Sequence, residues 1–225
     1  MLGSTLWLTL ATLTGLAAGF AREWLLVAAW GAGAQSDAFL VSMFLPEALR
    51  MALAAGLLSA AALPLYQQRD LLAQQRWLNA LAPRLLLCGL ALALLLSLGA
   101  PLWVRGVGPG LDASGYALAG GSLQWLAWCA PGFLLHALLC VPLQARSRFV
   151  MAGLGSLLFN LPPVIYLAVA SHAATPVGLA LSCVLGSLLM PGTLLPTFIA
   201  WAGNPGIGRL NPASVGNCCS ASGRC

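Results

Sequence analysis

Residues 78–104 read LNALAPRLLLCGLALALLLSLGAPLWV, a run in which Arg84 is the only charged side chain. The rest of the 225-residue chain is similar, with 60% hydrophobic and 7% charged residues and a mean hydropathy of +0.90. An average soluble domain has about 25% charged residues. Ten basic and five acidic side chains cannot cover the surface of a soluble fold of this length. The composition therefore predicts a chain solvated mainly by lipid, with room for about six spans of roughly 20 residues.

The apolar runs are separated by short polar connections near 67–76, 105–115, 146–148 and 171–175. Lipid offers no hydrogen-bond partner to the backbone, so each run is predicted to be a helix. We expect an all-α integral membrane protein with a six-helix transmembrane lobe over 1–202. The predicted spans are 4–33, 37–66, 78–104, 117–144, 149–171 and 176–202.

From Gly203 onwards the sequence changes to Asn, Pro, Ser, Gly and Cys without periodicity. The sequence of this tail, 203–225, fits two interpretations. It is either an unstructured extension or the aberrant end of a truncated reading frame.

The arginines near the ends of the spans predict the orientation of the chain. With a cytoplasmic N-terminus, Arg105 and Asp112 lie outside and six arginines lie inside. Because positive charge favours the cytoplasmic side, we expect both termini in the cytoplasm. The six inside arginines are Arg69, Arg76, Arg84, Arg146, Arg148 and Arg209.

Several function classes are excluded by the residue types. All ten basic residues are arginines scattered singly, which is unlike the clustered patch of a nucleic-acid-binding protein. The acidic residues do not form the clusters that hold Mg²⁺, and no Gly-rich nucleotide loop ending in Lys is present. Cys88, Cys129, Cys140 and Cys183 lie singly in apolar runs, and Cys218, Cys219 and Cys225 lack zinc spacing. We therefore expect no enzyme activity, no metal site and no cofactor.

Five charged residues lie within the first two predicted spans: Arg22, Glu23, Asp37, Glu47 and Arg50. Each charge near a helix centre costs about 2.5–3.5 kcal/mol on insertion scales. Their concentration predicts a polar cavity, and paired arginine forks suit a phosphate or carboxylate. A structural interpretation also stays open. Glu47 and Arg50 can neutralise each other, Arg22 can extend towards the membrane surface, and Asp37 can favour a helix N-terminus.

Three further polar residues are weaker candidates. Asn160 precedes Pro162 and Pro163 at mid-membrane, where it can line a cavity or, as we favour, satisfy carbonyls freed by the prolines. His136 is isolated in an apolar span and is interpreted as structural. His172 lies in a predicted outer loop, and neither histidine supports a mechanism.

A set of motifs between residues 15 and 65 resembles the opening of the MurJ/MviN-type lipid II flippases, within the multidrug/oligosaccharidyl-lipid/polysaccharide exporter superfamily. The weaker resemblance covers roughly 5–200, including Ala100-Pro101, Arg148-Phe149 and Asn160. The motif residues are Gly19-Phe20-Ala21-Arg22-Glu23, Gly31-Ala32-Gly33, Ser36-Asp37-Ala38-Phe39, Leu45-Pro46, Leu49-Arg50, Gly56 and Ser59.

The resemblance implies one lobe of a two-lobed exporter of about fourteen helices, whose central cavity opens alternately to each side of the bacterial inner membrane. The implied substrate is a polyprenyl-diphosphate-linked saccharide, carried through the membrane lipids in peptidoglycan biosynthesis. Arg22, Asp37 and Arg50 match cavity-lining charges of the family, and the arginines are expected to bind the diphosphate. The partner for the lobe is expected to be a second lobe or a second copy of the chain.

Three positions depart from the family pattern. Met51 stands where a second arginine is usual, Ala55 where an acid is usual, and Glu47 where Asn is common. The sequence also ends after the sixth predicted span. Two alternatives to a lipid II flippase therefore stay open: a flippase for an exopolysaccharide lipid carrier, or an inactive truncated membrane fragment.

Overall fold

The computed structural model describes residues 2–54, 56–146 and 153–203. These residues are helical apart from short connections and contain no strand. One 3₁₀ turn, Ser171–Ala173, follows the eighth helix. The α-helices are α1 (Leu2–Trp30), α2 (Ala34–Ala54), α3 (Leu57–Gln67), α4 (Leu71–Leu98), α5 (Ala100–Val107), α6 (Ala113–Leu126), α7 (Cys129–Ala145), α8 (Gly155–Ala170) and α9 (Pro176–Gly203).

Six segments of the described residues are long and apolar enough to cross a membrane. The prediction of an all-α membrane protein with six spans is therefore confirmed. Residues 204–225, with Arg209 and the three cysteines of the tail, lie outside the described residues, as do Ser147, Arg148 and Phe149. The six segments are Thr9–Trp30, Ala34–Gln67, Leu71–Leu98, Ala113–Ala145, Gly155–Ala173 and Pro176–Pro196.

The third span begins earlier than the predicted residue 78. The side chain of Asp70 accepts a 2.9 Å hydrogen bond from the backbone N–H of Ala73, and this cap starts α4 at Leu71. Arg76 consequently lies in the helix, and the polar connection shrinks to 68–70. The span also ends early, at Leu98, and the separate helix α5 carries Arg105.

The second span, Ala34–Gln67, is interrupted about two thirds of the way along. Gly56 adopts a φ of 93°, a left-handed conformation that side-chain-bearing residues rarely adopt, and it separates α2 from α3. The interruption leaves Glu47 and Arg50 on α2, close to the end of a helix.

Helix α8 packs closely against two neighbours. A Cβ atom on Gly15 of α1 would lie 2.8 Å from Cβ of Ser156, so α1 and α8 approach without an intervening side chain. On the other side, a Cβ atom on Gly186 of α9 would clash with the carbonyl oxygen of Phe159. Helix α8 is therefore held between α1 and α9, and this packing fixes the face of α8 that meets the charged residues.

Candidate functional site

Arg22 is buried in α1 and is hydrogen-bonded to α8. Its Nη1 donates a 2.8 Å hydrogen bond to Oδ1 of Asn160, and its side chain is 6% exposed. Its Nη2 lies 3.2 Å from Oε1 of Glu23, whose side chain is 60% exposed. Asn160 in turn donates from Nδ2 to the carbonyl oxygen of Ser156 at 2.9 Å. Arg22 therefore points into the protein rather than towards a membrane surface.

Arg50 is paired with Glu47, three residues earlier on α2. Its Nε donates to Oε2 of Glu47 at 3.1 Å, and its Nη2 donates to Oε1 of the same carboxylate. Its Nη1 lies 3.5 Å from Oγ of Ser156 on α8. The two carboxylate contacts occupy the edge of the guanidinium that a phosphate group would also use.

The same aromatic ring lies under both guanidinium groups. The Cζ atom of Arg22 is 5.9 Å, and that of Arg50 is 5.2 Å, from the centroid of the Phe159 ring. Phe159 is 1% exposed. Both distances fall within the range of about 6 Å at which a cation is attracted to the face of an aromatic ring.

Arg22 and Arg50 line two cavities that adjoin at the Glu47–Arg50 ion pair, since Glu47 lines the first and Arg50 lines the second. A cleft of about 320 Å³ lies between α1 and α2, and we name it the α1–α2 cleft. A second cavity of about 360 Å³, named the inner cavity, lies among α1, α2, α3, α7, α8 and α9. The α1–α2 cleft is lined by Arg22, Glu23, Leu40, Met43, Phe44, Glu47, Ala48 and Met51. The inner cavity is lined by Thr12, Leu16, Arg50, Leu53, Ala54, Ser59, Phe133, His136, Ala137, Cys140, Gln144, Gly153, Gly155, Ser156 and Met190.

Asp37 lies in the first turn of α2, where its side chain is exposed. It is in the lining of neither cavity. A carboxylate at this position is favoured by the dipole of the helix. The structure thus brings Arg22 and Arg50 to one ring and places Asp37 at the start of α2.

Ser156 and Phe159 were not identified from the sequence. Both are uncharged residues of a predicted apolar span, and nothing in the local pattern marks them. The one available signal was their spacing from Asn160, because residues 156, 159 and 160 lie on the same face of a helix.

The two histidines occupy different environments. His136 is buried and lines the inner cavity, with Nε2 at 3.4 Å from Sγ of Cys140. His172 is exposed, with Nδ1 at 3.2 Å from the carbonyl oxygen of Ala29. Among the described residues, His, Cys, Asp and Glu side chains do not gather in groups of three or more that could hold a metal ion.

Comparisons with known proteins identify the family of the chain. The family model described as lipid II flippase MurJ matches residues 26–201, a region that contains Asp37 and Arg50 and begins after Arg22. The chain is similar to the solved structure of "Lipid II flippase MurJ, inward closed conformation", with a TM-score of 0.74 and 20% sequence identity. That match covers 89% of this chain and 42% of the solved one, so the chain spans less than half the length of that flippase. No curated protein sequence matches the chain.

Proposed function

The chain belongs to the lipid II flippase MurJ family, and we propose that it forms the N-terminal lobe of a flippase for a lipid-linked cell-wall precursor. It would work by alternating access together with a second lobe or a second copy of the chain. Two features support the proposal: the family match over residues 26–201 and the cluster of charges inside the first two spans.

The observation that carries the proposal is the placement of two arginines on one buried ring. Arg22 and Arg50 each cost free energy to insert into a membrane, and both are held in the protein interior. Arginine is suited to phosphate because its planar donors match the phosphate oxygens. We assign the diphosphate of the carrier lipid to these two residues, with Asp37 balancing or gating their charge from the start of α2. The role is transport, without a chemical step or a cofactor.

We also propose that both termini are cytoplasmic, with the chain in the bacterial inner membrane. Arg69 and Arg76 lie near the connection between α3 and α4, while Arg105 and Asp112 lie near the connection between α5 and α6. The first connection precedes α4 and the second follows α5, so they face opposite sides of the membrane if α4 and α5 together cross it. Positive charge then favours the first connection as the cytoplasmic one.

A lobe exchange tests the proposed function. Residues 1–202 replace the corresponding lobe of a flippase that supports growth of a depletion strain, and membrane insertion is measured in parallel. We expect the exchanged protein to restore growth, and Arg22→Ala or Arg50→Ala to abolish rescue without reducing insertion.

Lysis despite normal insertion would contradict the lipid II assignment. Restored export of an exopolysaccharide in place of growth would identify the alternative carrier lipid. Full rescue by both arginine variants would exclude their role in binding.

A further inference from the structure

We propose that Phe159 is a positioning residue that fixes the spacing of Arg22 and Arg50 for a ligand with two linked phosphate groups. The proposal rests on the proposed function, because it concerns the same two arginines. It adds a residue that carries no charge and no hydrogen-bonding group.

The ring of Phe159 is the contact that the two arginines share. Arg22 and Arg50 lie on different helices, and each is paired with a carboxylate, Arg22 with Glu23 and Arg50 with Glu47. The negative face of an aromatic ring attracts both cations, and this attraction is stronger where the charges are desolvated. Both guanidinium groups therefore contact the same ring, with Cζ of Arg22 at 5.9 Å and Cζ of Arg50 at 5.2 Å from its centroid.

The neighbouring residues of α8 strengthen this arrangement. Ser156 contacts Arg50, and Asn160 contacts Arg22, so one face of α8 has a polar contact for each arginine. Phe159 lies between them in sequence and touches both arginines. This face of α8 thus sets the position of both cations.

Phe159 itself packs against residues of two other helices, α7 and α9. Its ring meets the ring of Phe133 edge to face, with centroids 5.2 Å apart and an interplanar angle of 69°. Its backbone carbonyl lies against Gly186 of α9, where no side chain separates the two helices. The ring is therefore packed against α7, and the backbone that carries it is packed against α9.

A fixed spacing matters only for a ligand that reaches both arginines. A single phosphate group needs one guanidinium, whereas two linked phosphate groups gain from two guanidiniums held at a constant separation, because less conformational freedom is lost on binding. Phe159 should therefore favour a diphosphate over a monophosphate, and losing the ring should weaken diphosphate binding selectively.

The experiment measures binding of inorganic pyrophosphate and of inorganic phosphate to the full chain in lipid nanodiscs. Phe159→Met removes the ring and keeps a similar volume, Phe159→Tyr keeps the ring, and Phe39→Met, a buried phenylalanine of the same core whose ring contacts Trp30, is the matched control. We expect Phe159→Met to weaken pyrophosphate binding about tenfold, within the range of a desolvated cation–π contact. Phosphate binding should change by less than about twofold, and Phe159→Tyr should retain pyrophosphate binding. A short-chain polyprenyl diphosphate, added as a second ligand, distinguishes a lipid headgroup from free diphosphate by its tighter binding.

Three results would overturn the positioning role: equal losses for Phe159→Met and Phe39→Met, equal weakening of phosphate and pyrophosphate, or a Phe159→Tyr variant as weak as Phe159→Met. Thermal stability is measured for each variant, and a loss of binding that only follows unfolding would count against the proposal. If Arg22→Gln and Arg50→Gln leave pyrophosphate binding unchanged, the proposed function fails at this site as well.

Discussion

Arg22 Nη1 donates a 2.8 Å hydrogen bond to Oδ1 of Asn160, a residue 138 positions later in the chain. The bond joins α1 to α8 between two side chains that are both buried. A charged donor that loses its partner in the interior keeps the full cost of its desolvation. The Arg22–Asn160 bond therefore contributes to the packing of α1 against α8 as well as to the placement of the cation.

Replacing Asn160 with Leu tests this contribution. Leu has a similar volume but cannot accept the hydrogen bond, so we expect the free energy of unfolding to fall by about 2 kcal/mol, typical of a bond to a charged group. The measurement is denaturant unfolding in detergent micelles. Asn79→Leu, at an exposed position of α4, is the control and should change stability by less than about 0.5 kcal/mol. Equal effects of the two substitutions would show that the Arg22–Asn160 bond stabilises nothing.

Glu47 is predicted to compete with an anionic ligand for Arg50. Its carboxylate already bonds Nε and Nη2 of that guanidinium, so the ligand must displace it. Glu47→Gln keeps the shape and removes the charge, and it should tighten pyrophosphate binding about tenfold, as measured by calorimetry.

Glu23→Gln is the matched control, since it removes the same charge from a side chain that is 60% exposed and makes one contact to Arg22. We expect it to change pyrophosphate affinity by less than about threefold. A similar gain from both substitutions would mean that net charge, rather than occupation of Arg50, limits binding.

The sequence predicted the architecture well because the apolar runs alone determine the number of spans. The boundaries were less accurate, since they depend on single residues: the cap by Asp70 starts α4 early, and the left-handed Gly56 divides the second span. The charges of the first two spans were evident in the sequence. Their uncharged partners Ser156 and Phe159 could not be predicted, because they lie more than 100 positions away and meet the arginines only through helix packing.

Asn160 also makes a contact that could not be predicted from the sequence. The sequence favoured a bond from this side chain to the carbonyls freed by Pro162 and Pro163, which are those of Leu158 and Phe159, four residues before each proline. The observed partner is a different one, because Nδ2 donates to the carbonyl oxygen of Ser156 at 2.9 Å. The bond to Arg22 depends on the close approach of α1 to α8, where a Cβ atom on Gly19 would make an ordinary van der Waals contact with Nδ2 of Asn160, at 3.6 Å. That contact joins two helices far apart in sequence, so no local pattern predicts it.

Asp112 gives α6 a pH-dependent cap outside the predicted spans. Its carboxylate accepts a 2.7 Å hydrogen bond from the Ser114 hydroxyl and a 2.8 Å bond from the backbone N–H of Gly115, and both lower its pKa below the usual 3.8. A lowered pKa in the folded state stabilises the fold above the unfolded pKa, and this contribution is lost as the pH falls through the folded pKa.

We expect Asp112→Ala to be less stable than the wild type at pH 6, with the difference shrinking as the pH falls below 3.8. Thermal unfolding at a series of pH values measures it. Asp112→Asn keeps a capping side chain without a titrating group, so its stability should show less dependence on pH than that of the wild type. If the difference in stability between the wild type and Asp112→Ala grew as the pH fell, the prediction would be contradicted.

The most direct test of Arg22 and Arg50 as the diphosphate site is the binding of lipid II itself, measured by native mass spectrometry of the purified chain. Phosphatidylglycerol, an anionic lipid with a single phosphate, serves as the competitor. The wild type should retain lipid II in preference to phosphatidylglycerol, and the double variant Arg22→Gln/Arg50→Gln should lose about 100-fold in lipid II affinity, as expected for two charge-assisted contacts. Equal retention of lipid II by the wild type and the double variant would contradict the assignment of the diphosphate to these two arginines.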